Sequence, residues 1–284
     1  MPKLRRPARL LLALCLVLLG GPGDARPSSA QDRPFTFAVF GDNRPESPGD
    51  PLPSVFHTII DQVNKLKPSF ALNTGDIVYG SRDPREIEQQ FMEYSRVVRR
   101  LTMPVHVSVG NHEIGGNRDN EAMMKRLLKR SSLYYSFTFG NSYFAVLNTE
   151  IVGETSKITG AQLEWLKADL KRNRAKAHKF VFIHRPLYPV DGHIGSSLDQ
   201  YPDDRAKFVA VLKQNKVDAV FAGHEHLFDK SVVDGVTEYI TGGAGAPLYP
   251  SYKLTGMYPH FLLVRVNGKY VSVKVVRIAA MSNK

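Results

Sequence analysis

"FAVFGDNRP" occupies residues 37–45. Phe37 to Phe40, preceded by Phe35 and Thr36, make an apolar run that reads as a buried strand. The run stops at Gly41-Asp42, and a carboxylate just beyond a buried strand is well placed to hold a cation. A second ligand is expected two residues on, but that position carries Arg44, which cannot coordinate a metal. Either the site is broken or another residue supplies the missing ligand.

Outward from this stretch, strands alternate with helices. "VFHTIIDQVNKLK" (55–67) has helical spacing, "FALNTGD" is a second strand, and Pro84 opens a helix running to about Leu101. "VHVSVGNH" reads as a third strand, and "YYSFTFGNSYFAVLNTE" as a hairpin turning at Gly140-Asn141. "AQLEWLKADLKRN" and "DDRAKFVAVLKQN" are helical, while "KFVFIHRP" and "VDAVFAGHEH" are strands. "SVVDGVTEYITGG" and "FLLVRVNGKYVSVKVVRI" close the chain as strand pairs, the second with a turn signal at Asn267-Gly268. The alternation predicts an α/β domain.

Five of these strands end in a polar cluster: Gly41-Asp42, Gly75-Asp76, Gly110-Asn111-His112, His184, and Gly223-His224-Glu225-His226. Each alone is an ordinary turn or cap. Together, at the sheet edge where side chains of several strands converge, they read as a metal site. Asp42, Asp76, Asn111, His184, His224 and His226 offer carboxylate, amide and imidazole donors, too many for one tetrahedral ion. They suit two first-row cations about 3.5–4 Å apart under a bridging carboxylate. His224 and His226 share a side of an extended segment, whereas a turn would let them diverge to separate ions.

The first thirty residues have another purpose. Lys3, Arg5, Arg6 and Arg9 precede an apolar run from Leu10 to Leu19, and small residues follow at Pro27-Ser28-Ser29-Ala30. This pattern predicts a cleaved signal peptide over 1–30, a single domain over 31–284, and a secreted or periplasmic protein with no permanent membrane anchor. Cleavage removes the single cysteine, Cys15, leaving no thiolate ligand or nucleophile. It also removes five basic residues and one acidic, taking the net charge from +11 to +7. The remaining basic residues, in stretches such as "KRLLKR" (125–130), lie on helical faces of the kind that solvent covers. No nucleic acid is expected as the main partner.

The ordered series Gly41-Asp42, Gly75-Asp76-Ile77-Val78-Tyr79, Gly110-Asn111-His112-Glu113, Val181-Phe182-Ile183-His184 and Gly223-His224-Glu225-His226 resembles the calcineurin-like metallophosphoesterase superfamily. It is most similar to the purple acid phosphatase branch. The resemblance implies a β-sandwich of mixed sheets flanked by helices, in the order α-β-β-α. Many members carry a histidine where Arg44 stands; in the purple branch a tyrosine three residues after the second aspartate ligates instead, and Tyr79 has that place. By the same resemblance Asp42, Tyr79 and His226 hold an iron-like ion, Asn111, His184 and His224 hold the second, and Asp76 bridges. The pair would be Fe with Fe, Zn or Mn, or a Mn or Zn pair. His112 would donate a proton to the leaving oxygen, His193 would be a second acid, and Arg44 would face a phosphate oxygen or make an ordinary surface ion pair. The branch's usual acid two positions after the tyrosine is Ser81 here, with Asp83 the nearest carboxylate, so the partner of His112 is open. Tyr188 and the 242–252 loop are candidate pocket walls.

The implied function is hydrolysis of phosphate monoesters on small phosphorylated substrates, by in-line attack of a metal-bound hydroxide. A phosphodiesterase acting on cyclic nucleotides or lipid-derived diesters would use the same ligands. A catalytically silent metal-binding interaction protein is the third reading.

Overall fold

Phe37, Ala38, Val39 and Phe40 lie within strand β1 (Phe35–Phe40) and are wholly buried. Burial of consecutive residues requires cover on both faces of the sheet. Phe37 and Val39 face a second sheet, while Ala38 and Phe40 face helices. The computed structural model describes residues 33–248 and 256–279. The expected signal peptide and residues 249–252 of the candidate wall loop lie outside the described residues.

The first sheet has the order β11-β10-β1-β2-β3, built from β1, β2 (Phe70–Asn73), β3 (Val105–Val107), β10 (His260–Asn267) and β11 (Tyr270–Arg277). The second runs β4-β5-β6-β7-β9-β8, from β4 (Tyr135–Phe139), β5 (Ser142–Val146), β6 (His178–Phe182), β7 (Ala219–Ala222), β8 (Phe228–Val233) and β9 (Val236–Thr241). Strands β1 to β3 are mutually parallel, as are β5, β6, β7 and β9. Both sheets are mixed because β10, β4 and β8 join antiparallel.

Three apolar layers hold these parts together. Between the sheets lies a phenylalanine cluster in which Phe37 stacks on Phe70 at 5.3 Å and meets Phe144 edge-on at 5.3 Å. Outside the first sheet, helices α1 (Ser54–Leu66) and α2 (Pro84–Val98) bury Phe56, Ile60, Ile87 and Tyr94. Outside the second, α5 (Gly160–Arg172) and α6 (Pro202–Gln214) bury Leu166, Leu170, Phe208 and Leu212. The layering is therefore α-β-β-α, as expected. Two further helices, α3 (Asn111–Ile114) and α4 (Arg118–Leu127), follow β3. Lys125 and Arg126 of α4 pair with Glu121 and Glu88 at the surface. Among the described residues no helix is long and apolar enough to cross a membrane.

Three boundaries differ from the sequence reading. The third strand stops at Val107, and Asn111-His112 open a single helical turn, because Glu113 reaches back to the Gly110 N–H and Gly115 ends the turn at φ 55°. Helix α2 ends at Val98 instead of near Leu101. The last hairpin turns at Gly268-Lys269, since Asn267 still pairs with Tyr270. The Gly140-Asn141 turn lies where the sequence places it, with Phe139 opposite Ser142.

Candidate metal centre

The carboxyl ends of β1, β2, β3, β6 and β7 meet along one edge, so both sheets contribute to the site. The ligand-bearing loops are tied to one another through the backbone. Asp42 N–H donates to the Gly75 carbonyl at 2.9 Å, and Arg44 N–H to the Asp76 carbonyl at 3.1 Å. The His224 N–H donates to the Asp42 carboxylate at 3.0 and 3.1 Å, and the His112 N–H to Asp76 Oδ1 at 3.1 Å. Asp42, Asp76 and His224 have φ of 59°, 54° and 72°. Left-handed backbone is uncommon outside glycine, and Asp and His are among the residues that tolerate it best. The glycines beside them serve close approach. A methyl group on Gly110 would collide with the Asp76 carboxylate, and one on Gly223 with the Asp42 carboxylate.

Two ligand groups result. Asp42, Asp76 and His226 form one, and Asp76, His184 and His224 the other, the donor atoms of each lying within 4.8 Å of one another. Asp76 belongs to both. Asn111 joins the second group, its Oδ1 being 2.9 Å from His184 Nε2. His224 Nδ1 lies 3.2 Å from the same nitrogen. The turn at His224 thus sends the two histidines of "GHEH" to different groups.

The donor chemistry fits cations. All five ionisable donors are buried. Burial, then the facing Asp76, pushes the Asp42 carboxyl well above its usual range. Burial alone would raise Asp76 too, but His184 and His112 outweigh it and lower it. Burial likewise depresses the histidines: His184 and His224 fall below the ordinary value, and His226 falls to about 4. Neutral imidazoles are the form that ligates metal. His184 donates Nδ1–H to the Thr74 carbonyl at 3.0 Å and His226 Nδ1–H to the Pro247 carbonyl at 2.6 Å, which leaves each Nε2 lone pair facing the centre. Paired buried carboxylates set among imidazole nitrogens suit a pair of divalent or trivalent ions.

Tyr79 stands at the rim. Its ring centroid is 6.1 Å from that of His112, and the Arg44 guanidinium lies 5.8 Å from its ring. His112 Nδ1 donates to the Tyr79 carbonyl, which presents Nε2 toward the site, 3.8 Å from Asp76 Oδ2. The open question of its partner is thereby answered by a backbone oxygen. Asp83 instead caps α2, accepting from Arg85 N–H at 2.9 Å, and Ser81 donates to Glu86. Arg44 Nη1 donates to the Pro45 carbonyl at 3.0 Å, and its buried Nε has no partner, so among the described residues it makes no surface ion pair. His193 stacks on His224 with centroids 3.7 Å apart. Tyr188 is turned outward, its hydroxyl donating to Asp234 at 2.8 Å and its ring under Arg205. Pro247, within the candidate wall loop, touches the site through His226.

Sequence reasoning passed over the acids and the arginine that brace these groups. Glu113 accepts N–H bonds from Gly110, Asp76, Ile77 and Val78 at 2.6, 3.0, 2.8 and 3.1 Å. Arg185 pairs with Glu150 through two bonds of 2.7 and 3.0 Å and lies 3.3 Å from His224 Nε2. Glu113 and Glu225 lie inside the quoted motifs, so a charged residue between or beside ligands was the available signal.

A sandwich with a two-metal donor set at the carboxyl edge of its strands is the architecture of a metallophosphoesterase. Residues 35–228 match the Calcineurin-like phosphoesterase family, and the chain belongs to it. It is 28% identical over 184 residues to a protein of Rattus norvegicus named serine/threonine-protein phosphatase CPPED1, covering 59% of this chain and 57% of that one. Fe(3+)-Zn(2+) purple acid phosphatase 12 of Arabidopsis thaliana is 26% identical over 252 residues, covering 78% of this chain and 50% of that protein. The chain thus spans between half and two-thirds of the length of these relatives. Purple acid phosphatase PPD1 from yellow lupin (Lupinus luteus) seeds shares the fold, with a TM-score of 0.71 at 16% identity over 88% of this chain and 52% of that one.

Proposed function

We propose that the protein hydrolyses phosphate monoesters at a two-metal centre. The observation that carries this reading is the position of Asp76, whose carboxylate is common to both ligand groups while the exposed edge of His112 lies 3.8 Å from it. Two cations held there supply Lewis acidity toward a phosphoryl oxygen and lower the pKa of a water. The protein's own groups do the rest. Asp42 and His226, with Tyr79, form the first ligand set; Asn111, His184 and His224 form the second. Arg44 offers a planar cationic fork, its Nε unsatisfied by the protein, to a non-bridging oxygen of the substrate. His112, its tautomer held by the Tyr79 carbonyl, carries a proton on Nε2 toward the leaving oxygen. His193, stacked on the His224 ring, would be a second proton donor.

An iron at the Tyr79 set, with zinc, manganese or a second iron at the other, is the metal pair we favour. A hard anionic phenolate suits a trivalent ion, and a relative is named for Fe(3+) and Zn(2+). The leader expected over residues 1–30 supports export to a secreted or periplasmic location.

The test compares a nitrophenyl phosphate monoester with its bis-nitrophenyl diester, using metal-reconstituted protein and Asp76→Asn as control. Faster monoester cleavage, lost together with bound metal in the variant, is expected. Faster diester cleavage would move the assignment to a phosphodiesterase. Neither rate exceeding the control would leave a metal-binding interaction protein.

A further inference from the structure

Glu225 sits between His224 and His226 and is fully buried. At the left-handed turn that opens with His224, the Glu225 side chain leaves on the side away from the metal donors. Here it projects onto a loop. Its carboxylate accepts N–H bonds from Val190 at 2.8 Å, Asp191 at 2.8 Å and His193 at 3.5 Å. Among the described residues no ion pair reaches it; backbone amides are its partners. Bonds to an ionised acceptor are the stronger kind, and a buried carboxylate without them would be costly.

The loop it grips has little stiffness of its own. "DGHIGSS" (191–197) contains two glycines and two serines. Other anchors lie on either side. Glu238 of β9 accepts the N–H groups of Leu187 and Tyr188 at 2.7 and 3.0 Å, and Arg185 Nη1 donates to the Ser196 carbonyl at 2.6 Å. Between them, Asp199 accepts the Gly195 N–H at 2.6 Å and Ser196 Oγ donates to the His193 carbonyl at 3.1 Å, while Glu225 takes the amides of Val190, Asp191 and His193. The outcome is an imidazole stacked on that of His224, 29° from parallel.

We propose that Glu225 is a positioning residue for His193: it ties the 190–193 backbone to the turn that bears two metal ligands, so that the His193 imidazole is held against the metal centre where the substrate's phosphate would lie. This rests on the reading of His193 as a group that faces substrate.

A double-mutant cycle tests it. Glu225→Ala, Glu225→Gln, His193→Ala and Glu225→Ala/His193→Ala are assayed, metal-loaded, on aryl phosphates with good and poor leaving groups, with metal content measured for each. Glu225→Ala and His193→Ala should lose kcat/KM with the same dependence on leaving group, by up to on the order of 10²-fold. The double variant should be no worse than the poorer single variant. Two metals per chain should remain. Glu225→Gln, whose carboxamide oxygen still accepts from Asp191 and His193, should recover most of the loss. In metal-free protein, amide hydrogen exchange at residues 190–193 should accelerate in Glu225→Ala while β6 and β7 stay protected.

Losses that multiply in the double variant, or exchange unchanged at 190–193, overturn the proposal. Wild-type kinetics in His193→Ala would remove both the substrate-facing role and this inference. An impaired His193→Ala beside an unimpaired Glu225→Ala would remove the inference alone. If Glu225→Ala does not fold, Glu225→Asp, whose shorter side chain keeps a carboxylate but draws it back from the 190–193 amides, takes its place in the cycle with His193→Ala.

Discussion

On the proposed reading of the site, Tyr79 and Arg44 together give the first metal set its character. Arg44 places a fixed cation two residues after Asp42, and Tyr79 lies three residues after Asp76 at the rim of the site. Its backbone is pinned on both sides: His112 bonds its carbonyl, and Gln90 accepts the N–H of Gly80 at 2.9 Å. Tyr79→Phe is therefore expected to leave the fold unchanged while removing any phenolate-to-iron visible absorption band from iron-loaded protein. Absorption spectra of the two proteins check this; a band that survives in the variant excludes Tyr79 as a ligand.

At the scale of elements, the single turn α3 does more than its four residues would suggest. Its Glu113 caps its own start and also gathers the amides of Asp76, Ile77 and Val78, so one buried carboxylate joins the loops after β2 and β3. Burial, then the nearby Asp76, raises its carboxyl to about 8. Glu113→Ala would leave four N–H groups without their acceptor. At about 1–3 kcal/mol for an unsatisfied buried group, with partial relief from water, a loss of about 3 kcal/mol is expected. That corresponds to a fall of roughly 6–12 °C in Tm. Thermal denaturation of metal-free protein measures it. Glu113→Gln should be intermediate, because its amide nitrogen would face N–H donors.

Across the whole molecule, buried ionisable groups pull stability in opposite directions with pH. His106, at the edge where the sheets meet, stacks on Phe137 with centroids 3.7 Å apart, and burial, then Arg130, lowers it to about 4. His260, buried in β10, is lowered to about 4 by burial. Between the ordinary value near 6.5 and about 4, the unfolded chain binds protons that the folded chain refuses, so these histidines cost stability as pH falls. Glu238 has the opposite sign. Burial raises it to about 7, so the folded chain keeps a proton the unfolded chain releases, and stability falls as pH rises. The net curve mixes both slopes, and only a difference between variants isolates one group. His106→Phe, which keeps the stacked ring, should gain Tm over the parent by more at pH 5 than at pH 8. With His106 partly exposed, we expect about 1 kcal/mol of that difference, or roughly 2–4 °C. Denaturation of metal-free protein at the two pH values measures it; a gap independent of pH would exclude His106 as the titrating group.

Much of this was legible in the chain. The apolar runs of β1, β6 and β7 are local patterns, and their length and composition mark buried strands. The donors after β1, β2, β3, β6 and β7, namely Asp42, Asp76, Asn111, His184, His224 and His226, announce themselves by residue type, because ligand chemistry belongs to the side chain. Five such strand ends in order pointed to the site, and the family resemblance they carry implied the layered fold. The three-dimensional structure alone decided the rest. That β10 lies beside β1, with Val39 opposite Leu262, is a pairing across the length of the chain that no local pattern encodes. The division of His224 and His226 between two ligand groups depends on one positive φ. The partner of His112 is a carbonyl, an atom every residue possesses, and the partners of Glu225 are amides of a loop more than thirty residues away. Side-chain identity and periodicity are written residue by residue, whereas backbone acceptors and long-range neighbours are defined only once distant segments have packed.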